Sequence, residues 1–157
     1  MQIDRHAITR ILLIDDDDDD HIVFKLAMAE VDDSIQLLYS NCADNITDLI
    51  ALEKPQLIFL DINLPRINGI ECLEQLQKDK LAKTIPVVMY SSSELPRDLQ
   101  LSFGAGASLY FQKPTELSKL ISALKKIFAM DWEQPGTIRE KHLMDGRYMA
   151  FATNENR

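Results

Sequence analysis

Short apolar runs alternate five times with segments whose apolar residues return at helical spacing, and few folds accommodate that pattern. A run that is apolar at successive positions has to be covered on both faces, as a strand is inside a parallel sheet flanked by helices. The runs are Ile11 to Ile14, Ile35 to Tyr39, Leu57 to Leu60, Val87 to Tyr90 and Ser108 to Phe111. Pro55 and Pro86 introduce the third and fourth, and Gly104 and Gly106 turn the chain into the fifth. Between them, helical spacing predicts a first helix burying Ile22, Val23, Leu26 and Ala27, and a second using Ile46, Leu49 and Ile50. A third follows Pro65 and Gly69 with Ile70, Leu73 and Leu76, and a fourth runs near Asp98 to Phe103. The last is the clearest: Leu117, Leu120, Ile121, Leu124, Ile127 and Phe128 on one side, Lys119, Lys125 and Lys126 on the other. Right-handed crossovers then lead to an α/β fold, a doubly wound five-stranded parallel sheet with helices on both faces.

With 157 residues and 46% hydrophobic composition, the chain can bury one core but has no room for a second domain of ordinary size. Residues 1–130 are expected to form the domain and 131–157 an extension of unassigned role, with no output domain. Trp132, Tyr148 and Phe151 in that extension are large enough to dock. Seventeen basic against 25 acidic residues give a net charge of -8, which repels nucleic acid and anionic lipid where no basic patch intervenes, and none is evident. No apolar run is long enough for a bilayer and Met1 to Arg10 has no signal core, so a cytoplasmic protein is expected. Cys42 and Cys72 lack metal-ligand spacing and are expected to be reduced thiols. Asn45-Ile46-Thr47 is read as a chance match to a glycosylation acceptor.

In open parallel sheets, sites form beyond the carboxyl ends of the strands. Asp15 and Asp16 follow the first strand, Asp61 the third, Ser91 closes the fourth and Lys113 follows the fifth. Three converging carboxylates repel one another unless a cation neutralises them. An oxygen-only set with no nearby His or Cys favours magnesium, with manganese as an alternative, and such an ion also accepts a phosphate oxygen. Asp61 is then placed to attack phosphorus as a carboxylate nucleophile, with Lys113 and Ser91 stabilising the charge that develops.

Ile11 to Asp16, Asp61-Ile62-Asn63-Leu64-Pro65, Pro86 to Ser91 and Lys113-Pro114 together resemble the response regulator receiver domain, over roughly Thr9 to Phe128. The resemblance implies the flavodoxin-like strand order 2-1-3-4-5. It makes Asp61 the phosphoacceptor, Asp16 a direct magnesium ligand, Asp15 the holder of a metal-bound water and Asn63 the donor of a backbone carbonyl. It gives Ser91 and Tyr110 as switch residues, Lys113 as the pocket lysine, and the Lys113–Pro114 peptide as cis. Ser91 stands where the family more often has threonine; either hydroxyl can bond a phosphoryl oxygen. Asn63 and Ser93 fall where the family tunes the lifetime of the aspartyl phosphate.

Asp17 to Asp20 are read as a solvated acidic run, with Asp19 or Asp20 capping the helix and Thr115-Glu116 capping the last one. His6, His21 and His142 sit in no phosphodonor motif, and His21 is read as a surface residue. The resemblance implies a stand-alone phosphorelay switch, a monomer or weak dimer and not an enzyme. A histidine kinase or phosphotransfer protein would load it, and a target protein would bind across helix four, strand five and helix five. Two other readings remain at this point: an unphosphorylated pseudo-receiver, whose mark is a missing pocket residue, and a magnesium-dependent phosphohydrolase, which wants an acid where Asn63 stands.

Overall fold

The computed structural model describes residues 7–152; His6 lies outside them. In chain order the elements are β1 (Arg10–Ile14), α1 (Asp18–Val31), β2 (Gln36–Ser40), α2 (Ile46–Glu53), β3 (Leu57–Leu60), α3 (Gly69–Leu76), a 3₁₀ turn (Ala82–Thr84), β4 (Val87–Ser91), α4 (Pro96–Gly104), β5 (Leu109–Gln112) and α5 (Leu117–Phe128). After these come α6 (Pro135–Lys141) and a small hairpin, β6 (Leu143–Met144) and β7 (Arg147–Tyr148). Five strands form one parallel sheet in the order β2-β1-β3-β4-β5.

Alternate strand residues feed two cores, as the two-residue repeat of a strand requires. Ile11, Leu13, Phe59, Tyr90 and Phe111 join Phe24, Ala27, Leu120, Leu124 and Ile127 from α1 and α5. Leu12, Ile14, Ile58, Leu60, Met89 and Tyr110 face Ile46, Ile50, Leu73 and Phe103 from α2, α3 and α4. Each fully buried Leu, Ile or Phe contributes on the order of 1.5–3 kcal/mol, so the continuous apolar strands supply both sides at once.

The buried stripe of α1 differs from the expected one. Phe24, Ala27 and Met28 are buried, whereas Ile22, Val23 and Leu26 are 55%, 40% and 54% exposed. Both stripes have helical spacing; Phe24, the largest side chain, decides the rotation by packing edge-on against Phe59 and Tyr90 at 5.1 and 5.4 Å. The cap of α1 is Asp17, whose carboxylate accepts from the backbone N–H of Asp19 and Asp20. Because the helix starts at Asp18, Asp19 and Asp20 lie inside its first turn, where their charge complements the helix dipole. Neither Thr115 nor Glu116 makes a side-chain cap on α5: Glu116 holds the cap position without a capping hydrogen bond and pairs with Lys119 at 3.8 Å.

Residues 131–152 lie on the domain. Trp132 donates its indole N–H to the Ile127 carbonyl (2.7 Å) and Ile138 is buried in the first core. The β6–β7 turn uses Asp145 and Gly146, at φ 52° and 77°, the left-handed pair that a two-residue hairpin needs. Tyr148 stacks on Phe103 of α4 with ring centroids 4.3 Å apart, and the Phe151 N–H donates to the Tyr110 carbonyl (2.7 Å). The segment thus covers α4 and the edge of β5, which would otherwise present unpaired backbone groups.

Candidate metal and phosphoryl site

Parallel register builds the site. Ile14 pairs with Leu60, and the Asp61 N–H donates to the Ile14 carbonyl at 2.9 Å, so Asp15 and Asp61 leave neighbouring strands side by side. Each carboxylate is partly fixed by its own loop. Asp15 accepts from the Asp17 N–H (2.9 Å) through Oδ1, and Asp61 from the Asn63 N–H (3.3 Å) through Oδ1. The Asp61 loop closes against α3 so tightly that a Cβ built on Gly69 would stand 2.0 Å from the Asp61 carbonyl oxygen.

Lys113 enters from β5. Its N–H donates to the Ser91 carbonyl (2.8 Å), which brings the β4 and β5 ends together, and its ammonium lies over the Tyr90 ring. Lys113 Nζ stands 2.9 Å from Asp61 Oδ2, 2.8 Å from Asp15 Oδ2 and 2.7 Å from Asp20 Oδ2. Burial opposes charge on this lysine, but the three carboxylates overcome it and hold its proton well above the usual lysine range. Asp15 goes the other way for an acid: burial, only partly offset by Lys113 and the Asp17 N–H, pushes its carboxyl up to about 6.

Asp15, Asp16 and Asp61 each present an oxygen, and these atoms lie within 4.8 Å of one another. Asp15 Oδ2 is buried and, despite its charge contact with Lys113, has no aligned hydrogen bond among the described residues. Asp15, Asp16, Asp20 and Asp61 gather around this single ammonium, and a hard cation in an all-oxygen set offsets the excess of negative charge. The residues present therefore fit a divalent ion.

At the end of β4, Ser91 is fully buried and its hydroxyl oxygen accepts from the Ser93 N–H at 3.2 Å. Tyr110 is buried, its hydroxyl donating to the Ser93 carbonyl at 3.0 Å, while the Ser93 hydroxyl donates to Asp98 of α4 at 2.6 Å. The sequence-derived residues Asp15, Asp16, Asp61, Ser91 and Lys113 thus meet at one edge of the sheet, with Asn63 on the Asp61 loop and Tyr110 one layer behind. The Lys113–Pro114 peptide, expected as cis, is trans. Trans is the lower-energy form for most prolyl bonds, and in it the lysine already reaches all three carboxylates.

Two contributors escaped the sequence reading. Asp20, taken with the solvated run, contacts Lys113; the available signal was its place in the first turn of a helix that starts at a strand end. The Tyr39 hydroxyl of β2 lies 2.8 Å from the Asp15 carbonyl and 3.0 Å from the Asp18 carboxylate, which share its one proton, and the ring stacks on His21 at 3.7 Å. His21 is therefore a stacking partner on the flank, and its partial burial lowers its basicity.

The family model for the response regulator receiver domain matches residues 11–125. Protein PilH of Pseudomonas aeruginosa is 31% identical over 76% of this chain and 98% of its own length. The transcriptional regulator RpaA of Synechocystis is 26% identical over 87% of this chain, which spans 56% of that protein. Among solved structures, the phosphorylated cyanobacterial phytochrome response regulator RcpA superposes with a TM-score of 0.66 at 28% identity, over 77% of this chain and 91% of that one. The manganese-bound response regulator Rcp1 gives 0.60 at 25% identity, over 76% and 91%.

Proposed function

This chain belongs to the response regulator receiver domain family, and on that premise we propose that it is a phosphorylation switch whose acceptor is Asp61. Receiver domains are generally signalling modules rather than enzymes. The observation that carries the reading is the ammonium of Lys113, 2.9 Å from Asp61 Oδ2 in a cluster that already holds Asp15 and Asp16.

In the reaction, an Asp61 oxygen bonds to the phosphorus of a phosphohistidine and the P–N bond breaks, its electron pair leaving with the imidazole. The product is an acyl phosphate on Asp61. Lys113 balances the charge on the transferring oxygens, and the Ser91 hydroxyl is the donor for another of them. Asp15, Asp16 and Asp61, with the Asn63 backbone carbonyl, would hold the ion. Bound there, magnesium, or manganese in its place, supplies Lewis-acid neutralisation of the phosphoryl oxygens.

The donor is a histidine kinase or histidine phosphotransfer protein, and the chain works in the cytoplasm as a monomer or weak dimer. Among the described residues no helix is long and apolar enough to cross a membrane. Similarity to PilH over nearly that protein's whole length supports the receiver reading. All pocket residues are present, which favours a working receiver over a pseudo-receiver. Asn63, where a phosphohydrolase would place its second acid, disfavours hydrolysis as the main activity.

The test is intact-protein mass spectrometry after incubation with acetyl phosphate, with and without magnesium. One magnesium-dependent phosphoryl adduct is expected on the wild type and none on Asp61→Asn. An adduct that persists in the variant moves the acceptor elsewhere.

A further inference from the structure

The face formed by α4 and β5, where a receiver's target was expected to bind, is occupied by the chain's own residues 147–151. Their hold is distributed. The Gln100 side-chain amide of α4 donates to the Tyr148 carbonyl (2.8 Å) and accepts from the Tyr148 N–H (3.1 Å), closing a paired contact with an extended backbone. Arg139 donates to the Ala107 carbonyl (2.6 Å) and lies over the Phe103 and Tyr148 rings, at 5.5 and 4.6 Å. Phe151 packs edge-on against Phe111 at 5.8 Å.

One residue touches both this segment and the phosphoryl pocket. The Tyr110 hydroxyl donates to the carbonyl of Ser93, two residues after Ser91, and the Tyr110 carbonyl accepts from Phe151. Three residues further along the same stretch, Lys113 reaches Asp61. Tyr148 and Ala150 pack against the apolar cluster that contains the Tyr110 ring.

We propose that residues 147–151 are a built-in ligand of the α4–β5 face and that their docking is coupled through Tyr110 to phosphorylation of Asp61. The inference rests on Asp61 being the phosphoacceptor. Its sign is positive. A docked segment fixes the Tyr110 carbonyl and covers the side of β5 beside its ring, so the ring stays buried and keeps the loop after Ser91 in place. Stabilising that loop at the phosphoryl group favours the same ring position. By reciprocity of linked equilibria, each event strengthens the other. A downstream protein that uses this face has to displace an extended segment carrying aromatic rings three residues apart.

The experiment uses the full chain, wild type and the variants Gln100→Ala and Tyr148→Ala, neither of which alters a pocket residue, with Tyr148→Phe as the conservative control. Amide hydrogen exchange across 147–151 is followed with magnesium alone and with magnesium and acetyl phosphate, and decay of the adduct is timed by intact mass. Phosphorylation is expected to slow exchange at Phe151 about fivefold or more. The adduct is expected to decay faster in Gln100→Ala and Tyr148→Ala, and at the wild-type rate in Tyr148→Phe. An adduct on Asp61 with unchanged or faster exchange, or with equal lifetimes in all variants, overturns the coupling and leaves the acceptor reading standing. No adduct on wild-type Asp61 overturns both.

Discussion

Lys113 Nζ lies nearer to the Asp20 carboxylate, at 2.7 Å, than to that of Asp61, at 2.9 Å. Three carboxylates crowd this one ammonium, which hydrogen-bonds Asp20 and Asp61 and meets Asp15 as a charge contact at 2.8 Å. Asp20 is also the most exposed of the three, at 34% against 5% or less for the others, so it is the partner most easily given up when a phosphoryl group arrives.

Asp20→Asn should therefore retain labelling of Asp61 by acetyl phosphate, at a rate equal to or above that of the wild type, because one negative charge facing an anionic donor is gone. Lys113→Ala should slow labelling about tenfold or more, since it removes a charge aimed at the transferring oxygens. Rates come from the time course of the intact-mass adduct. Equal losses in the two variants would make Asp20 part of the transfer machinery.

Gly69 is required by space and not by backbone freedom. A methyl group there meets the Asp61 carbonyl at 2.0 Å and the Ile62 Cα at 2.8 Å, and these are backbone atoms that cannot rotate away. Gly69→Ala should destabilise the fold by about 1–3 kcal/mol, in the range of overpacked sites. Because the clash displaces the loop bearing Asp61, labelling should slow as well. Gly104→Ala, where a Cβ meets nothing within 4 Å, is the control, expected within about 0.5 kcal/mol of wild type. Urea denaturation distinguishes them, and equal midpoints would mean the loop is looser than its packing indicates.

The sheet was legible because β1, β3 and β4 are apolar at nearly every position, and the site because its polar residues follow those runs directly. What periodicity could not settle was the rotation of α1, where two apolar stripes compete. Phe24→Ala should cost about 3–5 kcal/mol, as for a buried aromatic, and Leu26→Ala within about 0.5 kcal/mol. Reversed sizes in chemical denaturation would restore the stripe of Ile22, Val23 and Leu26 to the core. The docking of Tyr148 and Phe151 was also illegible, since single aromatic residues in a mixed polar stretch do not reveal which face they cover. Likewise the role of Asp20 depends on a tertiary approach by Lys113, 93 residues away in sequence, which no local pattern encodes.

Magnesium should raise the melting temperature, and by more at neutral than at acidic pH. The cause lies at Asp15, whose carboxyl burial pushes up to about 6 from 3.8. An acid whose folded value is raised binds its proton more tightly when folded, so in metal-free protein this group favours the fold below about pH 4, and that contribution is lost as pH rises through about 6. A cation needs the ionised carboxylate, so its binding releases the proton and weakens as pH falls through the same window. At a magnesium concentration 100 times the dissociation constant, binding to the native state alone contributes about 2.7 kcal/mol, equivalent to roughly 5–10 °C in a domain of this size. Thermal melts at pH 7.5 and 5.0, each with and without 100-fold excess over the neutral-pH dissociation constant, should show the full shift at 7.5 and about half of it at 5.0, where the affinity is about tenfold lower. Asp16→Asn, which changes a candidate ligand without disturbing the buried pair, should reduce the shift at 7.5. An equal shift at both pH values would separate metal binding from the buried carboxylate and place the ion elsewhere on the acidic surface.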